Sequence, residues 1–372
     1  MRIVTSLLAV FALGACGLPT IETPSAITAP CPVVEEVSDN EAVLFMTMRQ
    51  PDCAPGKPAR LTDLRADAVR FGVRPVGAHD DGGAPVFLPY QRWEEELAAR
   101  GGGNPALLYI HGFNNNARVS TQDARAIARS IDHKGAVVTL FWPTLAGPET
   151  YYWSVTNRDW TQPYADALLR NLAARHEGVI LFGHSMGARL ALDAAIALGE
   201  RHPEWLRRIN QIILASPDID RSDMIGKLKR LAAIEGVPPV TVYASTRDKI
   251  LQTAWLTNGY PRGGDLGSTY PGLLGNGPTP PLYPDPIAAN VTVVDTSEVS
   301  RGLSGHADYI YSPETAADIC RVVNRIDHGD ARVPARRPDS GQQVAGSVVL
   351  RKGDAPCFDQ ASRAAAWLES VD

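Results

Sequence analysis

The chain lacks any concentration of charge. Its 36 lysines and arginines against 41 aspartates and glutamates leave a net charge of only −5 over 372 residues. A nucleic-acid binder carries a basic patch as its electrostatic footprint. The short group Arg332, Arg336 and Arg337 is too sparse to make one and reads as a solvated tail. No two cysteines stand at metal-ligand spacing, so no zinc site is expected, and no organic cofactor is called for. Internal repeats are missing too. The apolar run Ile3–Leu13 is too short to span a bilayer as a permanent helix. What is present is ordinary globular material, 44% hydrophobic and 21% charged, able to bury a core.

The first residues read as an export signal. Arg2 precedes the apolar run, and the run ends in Leu13-Gly14-Ala15-Cys16. That ending resembles the bacterial lipobox, which implies a signal peptide over 1–15 and acylation of Cys16. Several acyl chains would anchor stably, since each buried methylene contributes about 0.8 kcal/mol. Gly17 stands where an inner-membrane retention aspartate could have stood, so the expected location is the outer membrane, facing the periplasm. Residues 16–40, rich in Pro, Thr and Ala, read as a tether. The four other cysteines allow three connectivities. The pairs closing the shortest loops, Cys31–Cys53 and Cys320–Cys357, are expected.

From residue 41 short apolar runs alternate with amphipathic stretches, which predicts a mainly parallel sheet with helices on both faces. Strands are expected at 42–48, 69–76, 106–110, 136–141, 179–182, 211–215, 240–244 and, as the last one, 291–294. Helices are expected at 117–132, 164–176, 188–202, 222–233, 249–257 and 313–326. Residues 258–289 are too dense in Gly and Pro for regular structure. One catalytic domain over 41–328 is expected, then an irregular extension over 329–372 linked to it by a disulfide.

The segment Gly183-His184-Ser185-Met186-Gly187 fits G-x-S-x-G, with an apolar strand before it and a helix after it. A sharp turn between strand and helix lifts such a serine above the sheet, and small flanking residues leave room for the turn. Ser185 is therefore the expected nucleophile. A serine hydroxyl needs a base, and the fold order serine, acid, histidine puts that base after the last strand. His306 satisfies this. His328 comes too late, and His184 sits in the turn itself, where it is expected only to pack. Asp248, after the strand 240–244, is the preferred acid, with Asp218 or Asp220 as alternatives. Asp295 is expected to lie below the site. The expected oxyanion donors are the backbone N–H groups of Met186 and Phe113, the latter in His111-Gly112-Phe113-Asn114. Gly112 permits close approach there, and Asn114 is expected to brace the loop.

Together with Phe141-Trp142-Pro143, Ala215-Ser216-Pro217-Asp218-Ile219-Asp220, Tyr243–Asp248 and Gly305-His306, these segments resemble a bacterial α/β-hydrolase family long catalogued as a domain of unknown function, with esterase- and lipase-like members. The resemblance runs in family order over roughly 41–312. It implies an α/β-hydrolase fold, a triad of Ser185, His306 and Asp248, and hydrolysis of a small-molecule or lipid ester without a cofactor. An acyltransferase or amidase would use the same triad, and a non-catalytic envelope-binding lipoprotein would need none. The aromatic segment Tyr151, Tyr152, Trp153 and Trp160 and the long Gly/Pro segment depart from the family pattern, so substrate identity does not carry over.

Overall fold

The computed structural model describes residues 31, 42–53, 57–75, 83–267, 286–337, 340–353 and 357. The expected signal peptide, Cys16, the tether apart from Cys31, and residues 268–285 of the Gly/Pro segment lie outside them.

The strands are β1 (Val43–Asp52), β2 (Arg60–Arg74), β3 (Val86–Leu88), β4 (Ala106–Ile110), β5 (Val137–Phe141), β6 (Val179–His184), β7 (Ile209–Ala215), β8 (Val240–Ala244), β9 (Val291–Asp295), β10 (Arg332–Arg336) and β11 (Gln343–Leu350). The helices are α1 (Tyr90–Gly101), α2 (Ala117–Ser130), α3 (Tyr151–Arg175), α4 (Met186–Arg201), α5 (Pro203–Leu206), α6 (Arg221–Ala232), α7 (Lys249–Asn258), α8 (Asp308–Tyr311) and α9 (Pro313–Asn324). The strands form one sheet in the order β10-β11-β9-β8-β7-β6-β4-β5-β1-β2-β3. From β11 to β1 in that order neighbours are parallel, and only the outer hairpins β10–β11 and β1–β2–β3 are antiparallel.

Parallel strands covered on both faces read as continuous apolar runs, and the central five-residue strands Ala-Leu-Leu-Tyr-Ile (β4) and Val-Val-Thr-Leu-Phe (β5) are buried throughout. Alternation divides each strand between two cores. Leu108, Leu181 and Leu214 join the core under α3 and α4, while Tyr109, Phe182 and Ile213 join the one under α2 and α9. Alanines 188, 191, 194 and 195 of α4 are buried, which brings this helix close to the sheet. All parallel strands end on the same edge, and ligand sites of open α/β sheets lie outside that carboxyl edge. No helix among the described residues is long and apolar enough to cross a membrane.

Three expectations are corrected. Helix α3 begins at Tyr151 rather than 164 and carries Pro163 inside it; the aromatic segment is its first half. Strand β2 begins at Arg60 rather than 69, because its polar first half lies on an edge hairpin and needs no apolar run. The extension after 328 is not irregular, and 291–294 is not the last strand. Strand β11 adds in parallel to β9 through Ser347↔Val293 and Val349↔Asp295, and β10 closes that edge. An edge strand tolerates Pro334, which has no N–H to donate, and can stay polar on its open side. Both expected disulfides are formed, with Cα–Cα separations of 5.1 Å for Cys31–Cys53 and 6.0 Å for Cys320–Cys357.

Candidate active site

Strand β6 ends at His184 and α4 begins at Met186, so the chain reverses within one residue. Ser185 takes φ 53° and ψ −121°, a left-handed-side conformation that costs a non-glycine residue of order 1–3 kcal/mol. Backbone bonds hold it there. Its N–H donates to the Ala215 carbonyl at 3.0 Å, and its carbonyl accepts from the Ala188 and Asp218 N–H groups, each at 3.1 Å. The glycines of the motif are small for steric reasons. A Cβ on Gly183 would lie 2.6 Å from the Ala188 Cα, and one on Gly187 would overlap the Ile110 and His111 carbonyls. Gly112, from the facing loop, would put a Cβ 2.8 Å from the Ser185 Cβ. Thus the loop after β4 lies directly against the elbow.

His306 arrives from the loop after β9. Its Nδ1–H donates to Asp248 at 2.8 Å (Oδ2) and 3.0 Å (Oδ1), and the Asp248 side chain is fully buried. Asp248 also caps α7, Oδ1 accepting from the Leu251 N–H at 2.9 Å. The Lys249 N–H donates to the Ser304 carbonyl at 2.8 Å, tying the histidine loop to the start of α7. Burial disfavours the His306 imidazolium, yet the charge and hydrogen bond of Asp248, helped by Asp218 and Asp308, raise its pKa above 6.5. Among the described residues no hydrogen bond joins the Ser185 hydroxyl to this imidazole, and Ser185 is 4% exposed. Resting active sites commonly leave this contact open until substrate closes it.

The other expected residues fall in distinct places. Asp220 caps α6, accepting from the Asp223 N–H at 3.0 Å. Asp218 is buried beside the elbow but pairs with Arg262 at 2.6 Å and accepts from the Tyr151 hydroxyl at 2.8 Å. Neither touches His306, so Asp248 is the carboxylate that meets the imidazole. The Phe113 and Met186 N–H groups have no hydrogen-bond partner among the described residues and are free to donate. Asn114 does not brace its loop; it is exposed at φ 61°, a left-handed turn that asparagine tolerates. The brace is Asn115, whose side-chain amide donates to Asp123 at 3.2 Å while its carbonyl accepts from Arg49 at 2.6 Å. Asn116 caps α2.

Several contributors carried no sequence signal, because they act through partners distant along the chain. Fully buried Arg49 donates to the carbonyls of Trp142 (2.9 Å) and Asn115 and pairs with Asp63 at 2.7 Å, which fixes the loops after β4 and β5 beside the elbow. Burial lowers its pKa to about 10 against the pull of Asp63, so it stays charged at neutral pH. His184 does more than pack. Its Nε2–H donates to the His306 carbonyl at 3.2 Å, and burial with the neighbouring His306 pushes its pKa well down, so it braces as a neutral ring. Its ring lies between His306 and Tyr309, 4.8 Å and 4.6 Å away. His111 stacks on Trp142 and is likewise held neutral by burial and Arg49. Among the described residues no three His, Cys, Asp or Glu side chains are grouped to hold a metal.

No curated protein matches the chain. Among solved structures, one described as a predicted CIB-like hydrolase from Thermoplasma acidophilum is 11% identical with a TM-score of 0.35, over 77% of this chain and 98% of its own. A hyperthermophilic esterase from the archaeon Pyrobaculum calidifontis is 16% identical (TM-score 0.33) over 68% and 84% of the two chains. The carboxylesterase EstE1, cloned from a metagenomic library, is 15% identical (TM-score 0.31) over 87% and 90%. Residues 93–320 match the family described as alpha/beta hydrolase of unknown function (DUF900), a stretch from α1 to α9 that includes the elbow and the His306 loop, and the chain belongs to that family.

Proposed function

We propose that the protein is a serine hydrolase that cleaves carboxylic esters through an acyl-enzyme. Ser185 Oγ attacks the ester carbonyl as His306 takes its proton, and the Phe113 and Met186 N–H groups hold the oxyanion. Collapse expels the alcohol, which receives the proton from His306. A water then repeats the sequence in reverse and frees the acid. Asp248 keeps the imidazole in the tautomer whose Nε2 can accept. The observation that carries this reading is the 2.8 Å bond from His306 to a fully buried Asp248, beside a serine held at positive φ on a helix N-terminus. A helix start favours the negative charge that develops there. The family membership and the free N–H groups of Phe113 and Met186 support the same chemistry. The reading includes export, with acylation at Cys16 anchoring the enzyme in the outer membrane on its periplasmic side.

The test is labelling of the folded protein with a fluorophosphonate. Wild type should take one label, at Ser185, and Ser185→Ala none. Absence of label from well-folded wild-type protein would refute the reading and leave a binding protein built on a hydrolase fold. Product analysis with added alcohol distinguishes transfer to water from transfer to another acceptor.

A further inference from the structure

Five of the eight exposed large apolar side chains among the described residues, Tyr152, Trp153, Ile250, Tyr260 and Leu303, sit on or beside α7, the start of α3 and the His306 loop. Ile250 and Tyr260 stand at the two ends of α7, 47% and 67% exposed. Tyr152 and Trp153, from the first turn of α3, lie alongside, and the Tyr152 hydroxyl donates to the Thr257 carbonyl at 3.1 Å. Leu303 is wholly exposed on the loop that Lys249 ties to α7. Because Asp248 opens α7 and His306 ends that loop, this apolar band borders the candidate active site. Apolar side chains exposed together around one site, rather than scattered singly, mark a contact surface.

Two independent observations indicate what covers it. First, Arg247 and Lys249 are exposed at its rim, and neither side chain has a partner among the described residues. On a chain of net charge −5 these local cations complement an anionic headgroup. Second, the chain enters the fold on this same edge. Strand β1 runs parallel to β5 and continues past its end, so Cys53 stands beyond the carboxyl edge, and the disulfide fixes Cys31 there. The segment 16–31 reaches about 50 Å at full extension. An anchor at Cys16 would join the fold at this edge, within reach of the bilayer.

We propose that this band docks on an anionic lipid bilayer and that the substrate is an ester resident in that bilayer. The docking clause rests on this surface and on the anchor at Cys16 proposed above; the substrate clause rests also on the serine-hydrolase reading. The experiment places a nitrobenzoxadiazole probe on Leu303→Cys in the full chain, held in phosphatidylglycerol vesicles by its own N-terminus. The control is Ile326→Cys, exposed near the far end of α9, where Asn324 meets the last residue of the α2 turn, Ile131. The Leu303 probe should shift to the blue and lose at least half its emission to spin-labelled lipid, while the Ile326 probe should not. Equal behaviour of the two probes overturns docking, as does a Leu303 shift without vesicles accompanied by a doubled mass, which assigns the band to a second copy. Repeating the measurement with Ser185→Ala separates the two claims, since docking should survive loss of the nucleophile. For the substrate clause, Ile250→Asp with Leu303→Asp should lower the ratio of vesicle-ester to soluble-ester turnover at least tenfold. An unchanged ratio overturns a membrane-resident substrate.

Discussion

Asp248 and Asp318 are both fully buried and both face an imidazole, yet the two sites are built for opposite ends. Asp318, on α9, accepts from Arg332 Nε and Nη2 at 2.7 and 2.6 Å and from the Tyr243 hydroxyl at 2.7 Å, with His328 Nδ1 at 3.0 Å. Burial would raise its pKa, but these donors override that and hold it at about 2. Both oxygens are engaged and one partner is a permanent cation, so the cluster locks the β10 edge to α9. Asp248 meets only a titratable ring and one backbone N–H. Its charge is answered only when His306 takes a proton. A complete ion pair fastens the fold, whereas an incomplete one can move a proton.

The comparison breaks most visibly on rate. Asp248→Asn should lower turnover of a soluble ester about 10⁴-fold, because the imidazole loses both its tautomer and the charge that stabilises its protonated form. Steady-state assays of folded variants check this. If Asp248→Asn kept the wild-type rate while Asp218→Asn abolished it, the acid would be Asp218. Asp318→Ala should do the reverse. Removing one partner of a buried ion cluster costs about 3–5 kcal/mol in chemical unfolding, while folded protein should still take the fluorophosphonate label.

A third carboxyl sharpens the contrast. Asp123, half-buried behind the loop after β4, has donors in Tyr109 (3.0 Å) and Asn115 but no cation, and desolvation raises its pKa to about 7. The folded state then binds more protons than the unfolded state between about pH 4 and 7, so stability falls as pH rises through that window. Asp123→Asn keeps the acceptor and should flatten the slope, by a few kcal/mol at most at about 1.4 kcal/mol per pKa unit. Melting temperatures across pH 4–8 test it, and a slope unchanged in the variant would refute the assignment.

How much of this was legible in sequence depends on whether a signal is local. Strands Ala106–Ile110 and Val240–Ala244 coincide with their runs because a parallel strand buried on both faces is nearly all apolar. Strands β10 and β11 were invisible, since β10 is an open edge and the mixed polar sequence of β11 gives no apolar run. Pro163 and the aromatic run hid the first half of α3, whose packing, not its propensity, keeps it helical. In the site, Ser185 and His306 follow from motif and chain order, and Asp248 from its place after β8. By contrast, Arg49, Asp123 and the Arg262–Asp218–Tyr151 group are pairs of side chains from separate elements, and no local pattern announces them.

The smallest effect expected is a displacement along the pH axis, and it separates the two buried sites most cleanly. His306 must be neutral to accept a proton, so kcat/KM should fall as pH drops through a value above 6.5. The same shift acts on stability with the opposite sign. A folded pKa above the unfolded one makes the His306–Asp248 pair stabilising at low pH, and that contribution is lost as pH rises through the folded pKa. Rate and stability thus oppose each other at this pair. Asp218 supports the raised pKa through its charge without touching the ring. Asp218→Asn should therefore move the acid limb of the profile to lower pH while leaving the His306–Asp248 bond in place, and the Arg262 charge it uncovers adds in the same direction. Asp318→Asn, remote from the imidazole, should leave that limb where it was. A limb that moved with Asp318 and not with Asp218 would mean that the field at His306 is set by the fold as a whole rather than by the carboxylates around it.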